Sequence, residues 1–287
     1  MRFMVATADG VQGVYLVEGD MAYGLSAADP TLGDDLTHIV TSGAAGLEQA
    51  QGARAHASAV AVSGLTPALP IRRPGKTICL GLNYADHAKE GGHEVPDYPA
   101  LFMRGTSSLI PAGAPVVRPS CSERLDYEVE LMVIVGRGGR HISRENALDH
   151  VFGYTVFNDV SVRDYQRKTA QWTPGKNFDA TGPVGPVVVT SDELPAGAEG
   201  LQVQSRLNGN VMQSATTSNM MFKVPETLAI LSEYSTLEAG DMIAMGTPEG
   251  VGHARKPPVW MRPGDTIEVS VEGIGICANP IVAEEDL

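Results

Sequence analysis

The apolar positions of this chain fall into many short runs that glycine and proline separate. Val11 to Val17 and Met21 to Leu25 predict a hairpin, and Thr31 to Ala50 predicts a helical stretch. After a proline-rich connector at 69–75, the run from Thr77 to Leu80 predicts a buried strand. Three later segments have helical spacing, at about 84–92, 143–150 and 225–235. The pattern therefore predicts a β-rich chain and not an alternating βαβ array.

The character of the sequence changes near residue 70. Residues 1–70 contain only Arg2 and Arg54 as basic side chains and no group of converging polar motifs. The candidate chemistry begins beyond the connector. We therefore predict a small N-terminal α/β domain over 1–70 and a β-rich α+β domain over 71–287.

Two acidic residues stand at the start of a long apolar strand. Glu128 and Glu130 lie in Leu-Asp-Tyr-Glu-Val-Glu-Leu-Met-Val-Ile-Val, and strand side chains two apart point to the same face. Their carboxylates repel unless a proton or a cation lies between them, and oxygen ligands favour Mg²⁺, Mn²⁺ or Ca²⁺. Asp159, after another apolar segment, is the third ligand that we predict. The alternative is a solvated glutamate pair on the wet face of a strand, but the flanking apolar residues favour a metal site.

Composition restricts the classes of partner. The 287 residues are 43% hydrophobic, and no apolar run approaches the roughly 18 residues that would cross a bilayer. The net charge of −13, with no basic cluster, argues against nucleic acid and anionic membranes. The three cysteines lack Cys-x-x-Cys spacing and the first residues do not resemble a signal peptide, so we expect a cytoplasmic protein. An anionic substrate would then need a local cationic pocket or a metal ion.

Histidine and lysine supply two further candidates. His87 precedes Glu90 by three residues, so both face one side of a helical turn, and a carboxylate can orient a histidine as a general base. The alternative is an incidental histidine at a solvated helix start. Lys176 lies between glycine and aromatic residues and could stabilise an oxyanion or enolate, although a surface lysine is the alternative. The other histidines, His253 among them, show no metal-ligand pairing and are interpreted as incidental.

A glycine-rich turn at 246–252 could hold a carboxylate through its backbone N–H groups and the Thr247 hydroxyl. It lacks the lysine of a phosphate-binding loop, and no Gly-x-Gly-x-x-Gly follows a strand, so nucleotide binding is unsupported. The segment 161–172 could shape a pocket through Tyr165, Arg167 and Trp172.

The order of these motifs is more specific than any one of them. They are Gly81-Leu82-Asn83-Tyr84 with His87 and Glu90, Phe102-Met103-Arg104, Asp126-Tyr127-Glu128-Val129-Glu130-Leu131, Asn158-Asp159-Val160-Ser161, Lys176 and the turn 246–252. In this order they resemble the fumarylacetoacetate hydrolase family over about 71–283. Residues 1–70 resemble the small, variable N-terminal domain of bacterial members.

The resemblance implies a mixed β-sandwich roll, a homodimer, and one Mg²⁺ or Mn²⁺ held by Glu128, Glu130 and Asp159. It implies that His87 and Glu90 activate water and that Lys176 lies beside the metal. The positions that it implies for the substrate are Tyr84, Arg104, Arg163, Gln166 and Thr247. Arg104 stands where a lysine is often found, which keeps the charge but changes the geometry.

The function that the resemblance implies is metal-dependent cleavage of a C–C bond in an acylpyruvate or related β-diketo acid. The substrate would be of the fumarylpyruvate or diketo-sugar-acid type, and the products pyruvate and a carboxylic acid. The alternatives are a 2-hydroxymuconate-type isomerase or an oxaloacetate decarboxylase on the same scaffold. A binding module without activity is a third possibility, but every candidate catalytic residue is present. The expected partner is a small 2-oxo acid, with no nucleic acid and no membrane.

Overall fold

A computed structural model describes residues 1–90 and 97–287. Its first part contains five strands and three helices among the described residues: β1 Arg2–Ala8, β2 Val11–Glu18, β3 Met21–Gly24, α1 Leu25–Ala28, α2 Thr37–Ser42, α3 Ala44–Arg54, β4 Ala59–Ala61 and β5 Thr66–Pro67. The predicted hairpin is confirmed as β2 and β3, which pair in antiparallel register.

The predicted helix over 31–50 is wrong in its extent. Asp29 instead caps a short 3-10 turn at Pro30–Leu32 by accepting from the Thr31 N–H, and helix α2 begins only at Thr37. Gly43 then separates α2 from α3 with a φ of 57°, a left-handed value that ends a helix.

The remaining described residues continue the chain as β6 Thr77–Gly81, α4 Ala85–Glu90, β7 Ala100–Met103, β8 Leu109–Pro111, β9 Val116–Arg118, β10 Leu125–Asp126, β11 Val129–Val135, β12 Val151–Asn158, β13 Ser161–Val162, α5 Arg163–Gln166, α6 Thr173–Lys176, β14 Gly182–Val184, β15 Val187–Thr190, β16 Gln202–Leu207, β17 Asn210–Thr216, α7 Val224–Tyr234, β18 Met242–Ala244, β19 Thr266–Val271 and β20 Gly275–Ala283. The strand predicted at 77–80 and the helix predicted at 225–235 are confirmed as β6 and α7. The segment 143–150 is helical but of the 3-10 type, and residues 91 and 92 of the helix predicted over 84–92 lie outside the described residues.

A large mixed sheet forms the centre of the molecule, with strands in the order β4-β3-β2-β1-β15-β12-β11-β18-β6-β7. Strand β1 pairs antiparallel with β15, so residues before 70 extend the sheet that later residues build. The domain boundary at residue 70 stays a prediction.

A second sheet, in the order β17-β16-β19-β20-β9, packs against the large one. Val203 and Val269 from this sheet share a core with Leu131 and Val133 of β11. Met132, on the opposite face of β11, belongs to a separate core. Strand β11 is thus buried on both faces, which explains its continuous apolar run. The predicted fold class, β-rich α+β with mixed sheets, is confirmed. Within the described part of the chain, no helix is long and apolar enough to span a membrane.

Candidate active site

Strand pairing brings the three predicted acidic ligands together. Strands β11 and β12 are antiparallel, with Val129 opposite Asn158, so Glu128 and Glu130 at the start of β11 meet Asp159 after the end of β12. The Asp159 N–H also donates to the Glu128 carbonyl at 2.9 Å. One oxygen from each carboxylate lies within 4.8 Å of the others, and all three side chains are buried. The local cause is simple, since one hairpin of the sheet carries all three acids.

Buried cations surround these carboxylates. Lys176 Nζ lies 2.8 Å from Glu128 Oε2 and 2.5 Å from Asp159 Oδ2. Arg104 Nη1 lies 2.6 Å from Asp159 Oδ1, and Arg163 Nη2 lies 2.6 Å from Glu128 Oε1 without hydrogen-bond geometry. Because the low-dielectric interior strengthens such pairs, removing any one partner would leave a buried charge uncompensated.

The charged neighbours of Glu128 and Glu130 shift the pKa values of these two residues in opposite directions. Burial alone would raise the pKa of Glu128, but Lys176 and Arg163 outweigh it and lower that pKa to about 2. Burial, together with the Asp159 and Glu128 charges, raises the pKa of Glu130 well above its ordinary value. Glu130 therefore requires a proton or a cation as its neighbour. Three converging carboxylates, one of them short of positive charge, fit a hard divalent cation.

The predicted histidine–glutamate pair is held at the edge of the site. His87 Nδ1 lies 3.6 Å from Glu90 Oε2, slightly beyond hydrogen-bond distance. The Gly250 N–H donates to both Glu90 oxygens at 3.1 Å. Burial acts to raise the pKa of Glu90, but the His87 and Gly250 contacts and the nearby cations lower it. Glu90 thus stays ionised near neutral pH and can orient the His87 ring.

A cavity of about 150 Å³ collects most of the predicted residues. Those that line it are His87, Glu128, Glu130, Arg163, Gln166, Lys176 and Thr247. Trp172 and Arg167 also line it, as the interpretation of 161–172 suggested, and Trp172 packs edge-on against Phe102 with ring centroids 5.7 Å apart. A base, an ammonium group and two of the three acids, Glu128 and Glu130, therefore line one small space, and Asp159 contacts Lys176.

The glycine-rich turn does two things at this cavity. The Gly246 N–H donates to Glu130 Oε2 at 2.9 Å, and Gly246 has a φ of +87°. A β-carbon at this residue would lie 2.8 Å from Asn83 Cβ, so glycine is required here. Gln213 Nε2 donates to Thr247 Oγ1 at 2.8 Å and Gln213 Oε1 accepts from the Val129 N–H, which ties the turn to β11. Gln213 could not be predicted from the sequence, because an isolated glutamine in a strand belongs to no recognisable motif.

Two predicted substrate residues lie elsewhere. Tyr84 is buried and bridges to Met220 through its backbone, and burial raises the pKa of its hydroxyl. Arg104 lies behind Asp159, where its guanidinium donates to Asp159, Ser108, Thr181 and the Val160 carbonyl. Among the described residues that line the cavity, neither is found. Arg104 thus holds Asp159, and its contact with the substrate stays a prediction.

Asp126 and His253 are additional site residues. The buried Asp126 carboxylate accepts from Arg163 Nε at 2.8 Å and from the N–H groups of Gly252 and His253 at 2.8 and 2.9 Å. Asp126 stands two residues before Glu128, so strand alternation was a usable signal. His253 lines the cavity, which corrects its interpretation as incidental. Its partners come from distant parts of the chain, so spacing could not reveal it.

Comparison with known proteins agrees with this geometry. Residues 76–282 match the model of the fumarylacetoacetate (FAA) hydrolase C-terminal domain. Oxaloacetate tautomerase FAHD2A, mitochondrial, of Homo sapiens is 41% identical over 263 residues, which cover 90% of this chain and 83% of the relative.

Two solved structures extend the likeness to the whole fold. Fumarylacetoacetate hydrolase from Exiguobacterium antarcticum superposes with a TM-score of 0.86 at 36% identity, covering 99% of this chain and 100% of the other. Maleylpyruvate hydrolase from Sphingobium sp. SYK-6, in complex with manganese(II) ion and pyruvate, gives 0.82 at 26% identity, covering 99% of each chain. The protein belongs to the fumarylacetoacetate hydrolase family.

Proposed function

We propose that the protein is a metal-dependent enzyme that interconverts the keto and enol forms of a 2-oxo dicarboxylic acid, with oxaloacetate as the leading substrate. The observation that carries the proposal is the meeting of His87, Lys176, Glu128 and Glu130 in one cavity of about 150 Å³, with Asp159 in contact with Lys176. The 41% identity to a human oxaloacetate tautomerase supports the same reaction.

The metal ligands in this proposal are Glu128, Glu130 and Asp159. A Mg²⁺ or Mn²⁺ ion bound there would polarise the 2-oxo group as a Lewis acid and lower the energy of the enolate. The charge of Lys176 has to be accommodated beside the ion, because the ammonium group lies against two of the three ligands.

The residues of the chain supply proton transfer and charge stabilisation. His87 takes the proton from C3 of the keto acid, and the C–H electron pair becomes the C2–C3 double bond. The carbonyl pair moves onto the C2 oxygen, which takes up a proton from solvent, and His87 returns its proton to solvent. Burial acts to lower the pKa of Lys176, but Asp159 and Glu128 raise it, so Lys176 stays charged and stabilises the developing oxyanion.

A second candidate is hydrolysis of a short acylpyruvate. It is favoured by the ionised Glu90 beside His87, because a carboxylate-oriented histidine can remove a proton from water as well as from carbon. Hydroxide would then attack the distal carbonyl, and the C–C bond would break to give a carboxylic acid and pyruvate enolate. The maleylpyruvate hydrolase structure supports this reading.

The two reactions differ in their products. Chelator-treated protein would be given Mn²⁺ and either oxaloacetate or a panel of acylpyruvates that includes fumarylpyruvate. Enol decay would be followed by ultraviolet absorbance, and pyruvate, free acid and CO₂ would be measured at the end. Faster keto–enol exchange without pyruvate supports the tautomerase. Pyruvate with an equal amount of acid supports the hydrolase, and pyruvate with CO₂ supports the decarboxylase.

Two variants connect the result to the site. Glu130→Gln should abolish the dependence on Mn²⁺, because it removes a ligand charge from the triad. His87→Gln should lower the rate while Mn²⁺ binding persists, since His87 is not among the ligands. An exchange rate that neither variant changes would contradict the proposal. The cytoplasmic location and the homodimer stay predictions.

A further inference from the structure

Gln213 is a buried residue whose side-chain amide uses all of its hydrogen-bonding positions. It lies on β17 in the second sheet, and its side chain reaches residues of the large sheet. Its Oε1 accepts from the Val129 N–H at 3.1 Å and from Ser205 Oγ at 2.9 Å. Its Nε2 donates to Thr247 Oγ1 at 2.8 Å and to the Pro248 carbonyl at 2.9 Å. Both amide protons and both lone pairs of the oxygen therefore have partners.

Two backbone groups fix the orientation of this amide. The Val129 N–H can only donate, so the amide oxygen must face it, and the Pro248 carbonyl can only accept, so the amide nitrogen must face it. A rotation of the amide by half a turn would set donor against donor and acceptor against acceptor in a buried place, which is costly. Nε2 of Gln213 is thus the atom that meets Thr247.

The Thr247 hydroxyl is left with an unused proton. Because Gln213 Nε2 can only donate, Thr247 Oγ1 accepts, and its own O–H must point elsewhere. In the described part of the chain no group accepts from this hydroxyl, and Thr247 is 4% exposed and lines the catalytic cavity. The neighbouring Gly246 N–H donates to Glu130, so the hydroxyl lies close to a candidate metal ligand. A nearly buried O–H is costly unless an acceptor is supplied, and a bound ligand oxygen would supply one.

We propose that Gln213 is a positioning residue, which fixes the Thr247 hydroxyl as a hydrogen-bond donor to a carboxylate or enolate oxygen of the substrate. The inference rests on the proposed function, because it assumes that a 2-oxo acid occupies the cavity. Gln213 acts through Thr247 and is not among the described residues that line the cavity. A donor that is already oriented toward developing or existing negative charge needs no reorganisation when the substrate binds.

Reversing the polarity of the amide tests this role. Gln213→Glu keeps the shape of the side chain but removes the N–H that Thr247 accepts. If the new carboxyl is ionised, both of its oxygens accept. If it is protonated, its single O–H goes to the Pro248 carbonyl, which can only accept. In both states the Thr247 proton turns toward the new carboxyl and away from the cavity.

A double-mutant cycle with Thr247→Val measures the consequence. Pyruvate is the probe, because it is a 2-oxo acid with one carboxylate, and its dissociation constant would be measured by calorimetry on the Mn²⁺-loaded full chain. Gln213→Glu and Thr247→Val should each weaken pyruvate binding about tenfold, as expected for a hydrogen bond to a charged group. The double variant should stay within about twofold of Thr247→Val, because without the hydroxyl the polarity of residue 213 has nothing to act on. Gln51→Glu, at an exposed position of α3, should leave pyruvate binding unchanged.

The cycle also defines the contrary result. Losses that multiply, to about 100-fold in the double variant, would show that Gln213→Glu acts by repelling the anion or by moving the turn, and would overturn the role in orienting Thr247. A cycle without such multiplication in a protein that does not exchange oxaloacetate tautomers would retain this role and reject the proposed function.

Gln213→Met provides a second comparison in case the buried carboxyl prevents folding. It removes all four hydrogen bonds of the amide but leaves the Thr247 hydroxyl free to rotate toward a ligand. Pyruvate binding should therefore weaken by only about two- to threefold, the cost of restricting one rotor. A loss in Gln213→Met as large as that in Thr247→Val would mean that Gln213 only holds the turn in place, and would overturn the inference.

Discussion

Lys176 lies against the carboxylate of Asp159, with its Nζ 2.5 Å from Asp159 Oδ2. It also contacts Glu128 at 2.8 Å, so one ammonium group bridges two of the three candidate metal ligands. A cation that binds the triad must share these carboxylates with Lys176. The Lys176 ammonium group therefore competes with the metal for these carboxylates, and it also supplies positive charge for the reaction.

Lys176→Met should separate these two roles. We expect Mn²⁺ affinity to be kept or increased, because the acids lose a competing charge, whereas the turnover number should fall by about 100-fold or more when oxyanion stabilisation is lost. Mn²⁺ binding would be measured by calorimetry and turnover by the enol assay. Lys256→Met, at an exposed lysine, should change neither value. A loss of Mn²⁺ binding as large as the loss of turnover would contradict this division.

The raised pKa of Glu130 predicts how pH affects the metal-free protein. Burial and the charges of Asp159 and Glu128 raise it, so folded Glu130 keeps its proton where the unfolded chain has released it, above about pH 4.5. The folded state then binds more protons than the unfolded state, and stability falls as pH rises through this window, by at most about 1.4 kcal/mol per pH unit. Mn²⁺ should offset the loss increasingly as pH rises, because it replaces the proton.

This pH effect can be measured as the difference between wild type and Glu130→Gln. Chemical unfolding would be measured in the presence of a chelator, from about pH 5 to about pH 8. The free energy of unfolding of Glu130→Gln should increase relative to that of the wild type as pH rises. The low pKa of Glu128 does not disturb the comparison, since its contribution is complete above the unfolded value near 4.5. A difference that is constant with pH would show that Glu130 is not the proton-binding member of the triad.

Gly81 controls the position of Trp172 in the cavity wall. A β-carbon at residue 81 would lie 2.1 Å from the Trp172 ring, so Gly81→Ala must displace the indole. We expect kcat/KM to fall at least about tenfold, and the free energy of unfolding to decrease by about 1 to 3 kcal/mol, as overpacking usually costs. The matched control is Gly52→Ala in α3, where nothing lies within 4 Å and alanine should favour the helix slightly. Unchanged kinetics in Gly81→Ala would mean that Trp172 does not shape the substrate space.

The sequence predicts that Glu128 and Glu130 lie close together because this signal is local. Glu128 and Glu130 share a strand face by alternation alone, and the antiparallel partner strand supplies Asp159. The same holds for β6, whose apolar run is buried, and for α7, whose second residue is Pro225. Each of these signals depends on neighbours within a few residues, whereas the position of Asp159 depends on the pairing of β11 with β12.

The environment of the triad is decided by long-range packing and escapes sequence patterns. Asp126 meets the His253 backbone across 127 positions of the chain, and Gln213 meets Thr247 across 34. Arg104 shows the same limit. Its charge was foreseen, but burial behind Asp159 depends on how β7 packs beside the other strands. The three-dimensional structure is therefore needed to distinguish residues that face the cavity from residues that hold other site residues in place.

Arg104 also tests whether charge or shape matters behind the triad. Its guanidinium is buried and makes four hydrogen bonds, through Nε, Nη1 and Nη2, whereas a lysine has a single nitrogen. Arg104→Lys keeps the charge beside Asp159 but leaves the Val160 carbonyl without its donor. The Ser108 and Thr181 hydroxyls lose the bonds that they accept, although each still donates to a backbone carbonyl. We expect the free energy of unfolding to fall by about 2 kcal/mol or more, because an unsatisfied buried group costs about 1 to 3 kcal/mol and each lost hydrogen bond about 0.5 to 1.5 kcal/mol.

Arg104→Met should cost more, since it also leaves Asp159 with Lys176 as its remaining cation. Urea unfolding of the chelator-treated proteins would give both values, and added Mn²⁺ should recover a larger share of the loss in the Met variant than in the Lys variant, because the ion restores positive charge and not the missing hydrogen bonds. If the two variants lose the same stability and recover equally with Mn²⁺, the charge of Arg104 is irrelevant to Asp159. In that case its hydrogen bonds alone would explain why an arginine stands at this position.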